Sequence, residues 1–119
     1  MIKHIVMWNV RGDTREEKDR GASFIKERFE SLRGRISGMR LLEVGVDTSH
    51  VGYACDVVLY TEFDDAHALR AYADHPAHAE VRRAIGDLRT ERHQVDYVPD
   101  AGLSDVPPQR HAGLSKANP

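Results

Sequence analysis

Residues 2–10 have the alternating pattern of a β-strand that is apolar on both faces. One face carries a histidine among apolar residues: Ile2, His4, Val6, Trp8 and Val10. The other face carries Ile5 and Met7. Strands of this kind are usually covered on both sides. The pattern therefore predicts a central strand, with a layer of the protein packed against each face.

A helical pattern follows this strand. Thr14 and Glu17 have the spacing of a capping box, which predicts a helix beginning there. Beyond them, apolar residues recur every three or four positions and form one stripe: Ala22, Ile25, Phe29, Leu32 and Ile36. Gly34 and Gly38 offer places where the helix can stop.

Three further segments predict strands. Residues 39–47 alternate Leu42, Val44 and Val46, and residues 55–63 are rich in β-branched and aromatic side chains. A last strand is predicted near the end, at residues 93–98. From Pro99 onward the composition changes to Pro, Gly, Ser and isolated charges, which predicts a flexible C-terminal tail over residues 99–119.

The second helical region is predicted to break in the middle. Either Asp64 or Asp65 can cap its start. Pro76 disfavours helical geometry at His75, yet it is acceptable in the first turn of a new helix. His75 is therefore predicted to cap the break by bonding backbone groups that are left unpaired. The new helix carries an inward stripe that consists of His78, Val81, Ile85 and Leu88.

The predicted order is β-α-β-β-α-β, which is typical of a ferredoxin-like α+β domain over residues 1–98. Its four-stranded antiparallel sheet carries helices on one face, so the other face would be bare in a single copy. The simplest cover for that face is a second copy of the chain. The pattern thus predicts a homodimer in which two protomers form an α/β barrel.

Composition and charge exclude several classes of partner. The 119 residues carry a formal net charge of −2, which gives no overall field favouring nucleic acid or an anionic membrane surface. No apolar run approaches the roughly 20 residues needed to span a bilayer, and no signal-peptide pattern begins the chain. The single cysteine, Cys55, predicts a cytoplasmic protein without an intramolecular disulfide.

Four segments resemble one known family. The stretches MIKHIVMW, DVVLYTEF, ALRAYADHPAHAEV and VDYV occur in the order found in the stress-responsive dimeric α/β-barrel (Dabb) family. The resemblance covers roughly residues 1–98, and AYADHPAHAEV is its most specific part. It implies a ferredoxin-like protomer, a homodimeric barrel and a small cavity in each subunit.

The resemblance also implies candidate site residues. A plant polyketide cyclase of the family works without a cofactor and uses a histidine as base and a tyrosine as its partner. By motif these fall on His78 and Tyr72, whereas a further pocket histidine of that enzyme falls on Val57 here. The residues predicted to bind the substrate, a small apolar or aromatic metabolite, are His4, Trp8, Val57, Leu59 and Val81.

Each candidate also has a purely structural interpretation. An inward imidazole can accept a proton near neutral pH, but many core histidines simply bond a nearby carbonyl. Likewise, Tyr72 can stabilise an enolate, or it can be a core residue whose hydroxyl reaches water. His75 and His78 have a spacing that can chelate metal, but Pro76 interrupts the helix between them. We therefore expect neither a metal nor another cofactor.

Four functions stay open on the sequence. The chain can be a binding protein for a small metabolite, or a cofactor-free cyclase, lyase or isomerase in which His78 acts as general base. Analogy with other dimeric barrels adds the oxidation of a phenolic substrate. The fourth is a structural dimer in a stress response.

Overall fold

The computed structural model, which describes residues 1–100, has the predicted order of elements. The strands and helices are β1 (Ile2–Val10), α1 (Arg15–Glu30), β2 (Met39–Val46), β3 (Val57–Phe63), α2 (Ala66–Ala73), α3 (Pro76–Ile85) and β4 (Arg89–Tyr97). A 3-10 turn, Gly86–Leu88, joins α3 to β4. The ferredoxin-like α+β fold is confirmed. The predicted tail falls almost entirely on residues 101–119, which lie outside the described part of the chain.

All four strands form one antiparallel sheet in the order β2-β3-β1-β4. β1 is central, with β3 on one side and β4 on the other. His4 lies opposite Thr61 of β3 and opposite Asp96 of β4. Because residues opposite one another share a face, these three side chains lie on the same side of the sheet.

The hydrophobic core lies between this face and the helices. β1 contributes Val6, Trp8 and Val10, which are each at most 2% exposed. The Trp8 ring stacks on Phe29 of α1, with ring centroids 5.4 Å apart. The apolar stripe predicted for α1 is therefore confirmed as the face that covers the sheet.

The first helix ends earlier than its apolar stripe suggests. α1 stops at Glu30, so Leu32 and Ile36 lie in the turns that follow, although both are buried. The physical reason is that the chain must reverse to enter β2. Gly34 and Gly38 make this reversal with φ angles of 78° and 84°, in the left-handed region that glycine adopts without a steric penalty.

The predicted helix break is confirmed, including its cap. α2 begins at the N-cap Asp65, whose carboxylate accepts a hydrogen bond from the Ala68 amide at 2.8 Å. α3 begins with Pro76 in its first turn. The N-cap of α3 is His75, whose Nδ1 accepts a hydrogen bond from the Ala77 amide at 2.9 Å. The break thus fixes the relative positions of α2 and α3.

No helix of the described residues covers the other face of the sheet. Cross-strand pairing places on that face the side chains of Ile5, Met7, Val58, Tyr60, Val95 and Tyr97. Val95 is 50% exposed. In the described residues, no helix is both long and apolar enough to cross a membrane.

The last strand differs from its prediction. β4 begins at Arg89, not at His93, and its residues are nearly all exposed. β4 is an edge strand, and its first residues are polar on both faces. The sequence therefore has no alternation of apolar and polar residues there that would predict a strand. The early start adds Arg92 to the helix-covered side of the sheet, opposite Trp8, where Gln94 and Asp96 lie opposite Val6 and His4.

Candidate active site

The structure brings together three of the predicted residues: Tyr72, His78 and His4. The Tyr72 ring lies between the two imidazoles, with ring centroids 4.4 Å from His78 and 6.3 Å from His4. Tyr72 is 2% exposed and His4 is 7% exposed, whereas His78 is half-buried. The helix break places this group, because Tyr72 ends one side of the break and His78 begins the other.

Tyr72 has an unusual environment for a phenol. Its hydroxyl oxygen is buried, has no hydrogen-bond partner among the described residues and offers essentially no surface to water. Leaving a buried polar group unpaired costs about 1–3 kcal/mol. Burial raises the pKa of Tyr72, and the positive charges of nearby arginines oppose this rise only in part. The hydroxyl therefore stays protonated and is able to donate a hydrogen bond.

His78 is arranged to act as a neutral base. Its Nδ1 lies 3.3 Å from the carbonyl oxygen of Ala73. A carbonyl only accepts, so Nδ1 carries the proton and Nε2 carries the lone pair. Burial lowers the pKa of His78, and the bond to Ala73 offsets part of this effect. The ring is therefore uncharged and basic around neutral pH.

His4 is held by a carboxylate that sequence reasoning missed. Its Nδ1 lies 2.6 Å from Oδ1 of Asp96. Since a carboxylate accepts, Nδ1 of His4 donates to Asp96. The other carboxylate oxygen accepts from Nε2 of Gln94 at 3.0 Å, and Gln94 in turn accepts from Arg92. The available signal was the period-two spacing of Arg92, Gln94 and Asp96 along one strand face.

The four remaining predicted residues lie in the apolar core. Trp8, Val57, Leu59 and Val81 are each at most 2% exposed. They form the packed apolar layer beside the buried side chains of His4 and Tyr72. The structure thus separates the predicted set into a polar group of three and an apolar support of four.

Two clefts lie elsewhere on the molecule. One, of about 600 Å³, is on the helix-free face and is lined by Met7, Val58, His93 and the loop before β3, with Val57 at its edge. The other, of about 620 Å³, lies between the start of α1 and the 3-10 turn. Neither is lined by Tyr72 or His78. Across residues 1–100, no three His, Cys, Asp or Glu side chains are grouped to hold a metal.

Comparisons with known proteins agree with this architecture. A Streptomyces coelicolor protein described as uncharacterised is 32% identical over 78 residues, covering 66% of this chain and 79% of that protein. A dimeric protein of unknown function with a ferredoxin-like fold, from Bacteroides fragilis, is 35% identical, with a TM-score of 0.71 over 81% of this chain and 93% of that chain.

A third comparison shows the fold alone. A hydroxynitrile lyase from Passiflora edulis is 12% identical, with a TM-score of 0.69 over 84% of this chain and 94% of that chain.

The family model described as Stress Responsive A/B Barrel Domain matches residues 2–99. The chain therefore belongs to the stress-responsive A/B barrel (Dabb) domain family.

Proposed function

We propose that this protein binds a small organic molecule with a carbonyl group at Tyr72 and His78, and moves a proton on it as a cofactor-free lyase or isomerase. One observation carries the proposal: a buried phenol without a hydrogen-bond partner among the described residues lies between the imidazoles of His4 and His78. A purely structural cluster would gain stability by pairing that hydroxyl.

The chemistry needs only side chains of this chain. The substrate carbonyl oxygen would accept a hydrogen bond from the hydroxyl of Tyr72. Nε2 of His78 would then take the proton from the carbon next to that carbonyl, and the electron pair left behind would move to the oxygen as an enolate. Return of the proton from His78 to another carbon completes an isomerisation. Attack of the enolate carbon on a second carbonyl of the same molecule, whose oxygen then takes the proton from His78, would instead give the ring closure of a polyketide cyclase.

His4 would orient the substrate. The bond to Asp96 holds the ring in one orientation, which leaves its Nε2 to form a hydrogen bond with a hydroxyl or enol of the substrate. The apolar core beneath, with Trp8, Leu59 and Val81, would contact the apolar part of the ligand. Val57, which lies at the edge of the sheet face, would limit its length.

A ligand would reach the hydroxyl of Tyr72 only after a neighbouring side chain moves, because that oxygen is buried. His78 is the half-buried neighbour, and its ring is held by one 3.3 Å hydrogen bond to a backbone carbonyl. A rotation of that ring would open the path to the phenol from solvent. Ligand binding would then pair the buried hydroxyl and recover the cost of leaving it unpaired.

The exchange of deuterium into a substrate tests this proposal. We expect the protein in D₂O to accelerate exchange next to the carbonyl in at least one of a panel of aryl ketones and keto acids, followed by proton NMR. Loss of a general base or of an oxyanion donor should slow the reaction by about 10²–10⁴-fold in His78→Gln and Tyr72→Phe. The matched control is His67→Gln, which removes an exposed histidine of α2.

Two outcomes would decide against the enzyme. Exchange no faster than in buffer with every compound would contradict it, as would equal losses in His78→Gln and His67→Gln. Binding of a panel compound without exchange would favour the alternative, a binding protein that uses the same residues.

We further propose that two copies pair through the helix-free face. The apolar side chains of Ile5, Met7 and Val95 form the centre of that face, and the similar Bacteroides fragilis structure is described as dimeric. Light scattering should give twice the 13.4 kDa protomer mass. Val95→Asp should give a monomer, whereas Val51→Asp, on an exposed loop, should not. The lone cysteine supports placing this dimer in the cytoplasm.

A further inference from the structure

Three arginines converge on the side of the fold where Tyr72 and His78 lie. Arg92 pairs across the sheet with Trp8, so it shares the helix-covered face with His4. Arg82 follows His78 by four residues on α3, which places both on one side of that helix. Their positive charges come from two different elements, β4 and α3, but lie on the same side of the fold.

Arg89, the third arginine, is held in place by aromatic rings. Its guanidinium carbon lies 5.0 Å from the centroid of Trp8 and 6.0 Å from that of Phe29. An arginine that is stacked on aromatic rings loses less conformational entropy when it binds an anion, because its guanidinium group is already oriented. Arg89 is therefore a fixed positive group beside the phenol and not a free surface side chain.

Within the described part of the chain, these charges have no acidic partner. Among residues 1–100, none of the three arginines forms an ion pair, although nine ion pairs occur elsewhere. Asp96, the carboxylate on the same face of β4 as Arg92, already accepts from His4 and Gln94. A chain with a net charge of −2 thus concentrates three uncompensated positive charges at one place.

The three positive charges act on one another and on the same two residues of the site. Burial lowers the pKa of Arg89, and the charges of Arg92 and Arg82 lower it further. The same three charges act on Tyr72 and on His78. An anion bound among them would relieve this repulsion while also gaining charge-assisted hydrogen bonds.

We infer that Arg82, Arg89 and Arg92 select a substrate that carries a carboxylate close to its reactive carbonyl, which makes the substrate class a keto acid. The inference rests on the proposed function for the position of the carbonyl at Tyr72. A planar carboxylate matches the fork of a guanidinium, which can bind both of its oxygens. The arginines also stabilise negative charge that develops on the carbonyl oxygen during proton removal.

A matched pair of probes tests the class of ligand. Phenylpyruvate and phenylacetone share a benzyl ketone and differ in that a carboxylate replaces a methyl group. Calorimetric titration of the full chain should show phenylpyruvate binding at least about tenfold more tightly, since a hydrogen bond to a charged group contributes that much. Its affinity should fall as salt concentration rises.

Substitutions then locate the effect. Arg92→Gln and Arg82→Gln, at exposed positions, should each weaken phenylpyruvate by about tenfold and leave phenylacetone unchanged. Arg89→Gln should do the same, and the two exposed variants keep the test valid if this one unfolds. The control is Arg83→Gln, which makes the same charge change on α3 at a position that does not act on Tyr72 or His78.

Several outcomes would overturn the inference. They are equal affinity for the two probes, an equal loss in Arg83→Gln, no binding of phenylpyruvate at millimolar concentration, or inorganic phosphate competing as strongly as phenylpyruvate. The proposed function fails separately. If phenylpyruvate binds through the arginines but neither wild type nor Tyr72→Phe exchanges its protons, carboxylate selection stands and proton transfer does not.

Discussion

Replacing Tyr72 by phenylalanine should stabilise the protein while abolishing its chemistry. The substitution keeps the ring contacts with Phe63 and His78, whose centroids lie 5.1 Å and 4.4 Å away, and removes only the oxygen. That oxygen is buried without a partner. Its removal should therefore return its desolvation cost of about 1–3 kcal/mol. For a domain of this size the melting temperature should rise by roughly 4–12 °C.

Urea denaturation and calorimetry at one fixed protein concentration measure this change. The matched control is Tyr60→Phe, because the hydroxyl of Tyr60 donates to Glu62 at 2.6 Å. Loss of that bond should destabilise the protein by about 1 kcal/mol. The two variants should thus move in opposite directions. If Tyr72→Phe loses stability as Tyr60→Phe does, the phenol has a partner in the native protein and the reasoning is refuted.

Three other perturbations test separate parts of the structure. Asp96→Asn removes the carboxylate that accepts from His4. It should lower the unfolding free energy in urea by about 1–3 kcal/mol and slow deuterium exchange into the substrate. An unchanged midpoint of urea unfolding would contradict the role of that bond. Because burial lowers the pKa of His78, the unfolded chain protonates first on acidification, so wild-type stability should fall as the pH drops below about 6.5, and His78→Gln should flatten this slope in pH-dependent melting. Gly38→Ala adds a Cβ 2.6 Å from a side chain of α2 at a φ of 84°, and should lower the unfolding free energy by more than about 2 kcal/mol. Gly34→Ala has open space around it, so it should show only the smaller cost of the φ strain. Equal losses of unfolding free energy in the two variants would contradict the packing of that turn.

Much of the fold was predictable because its signals are local. Alternation along β1 identified the buried face correctly, and the spacing of Thr14 and Glu17 placed the start of α1. Pro76 marked the helix break, since a proline restricts the residue before it whatever the tertiary context. The end of α1 and the start of β4 were less visible. Both depend on turns and on an edge strand that has no apolar period.

The site was predictable only in part, for a different reason. Tyr72 and His78 lie in one short motif, and the break between them sets their contact, so sequence proximity was informative. The bond between His4 and Asp96 joins residues 92 positions apart in the chain. No local sequence pattern predicts this contact, because it forms only when β4 pairs with β1. The arginine cluster has the same origin, since Arg82 and Arg92 meet only in three dimensions.

NMR mapping of a bound keto acid tests the central claim most directly. With ¹⁵N-labelled protein, we expect His78 to be in the Nδ1–H tautomer before ligand is added. Phenylpyruvate should then cause its largest shifts at the imidazole of His78 and at the residues around Tyr72. Largest shifts at Met7 and in the cleft of the helix-free face, with the His78 resonances unmoved, would contradict the account.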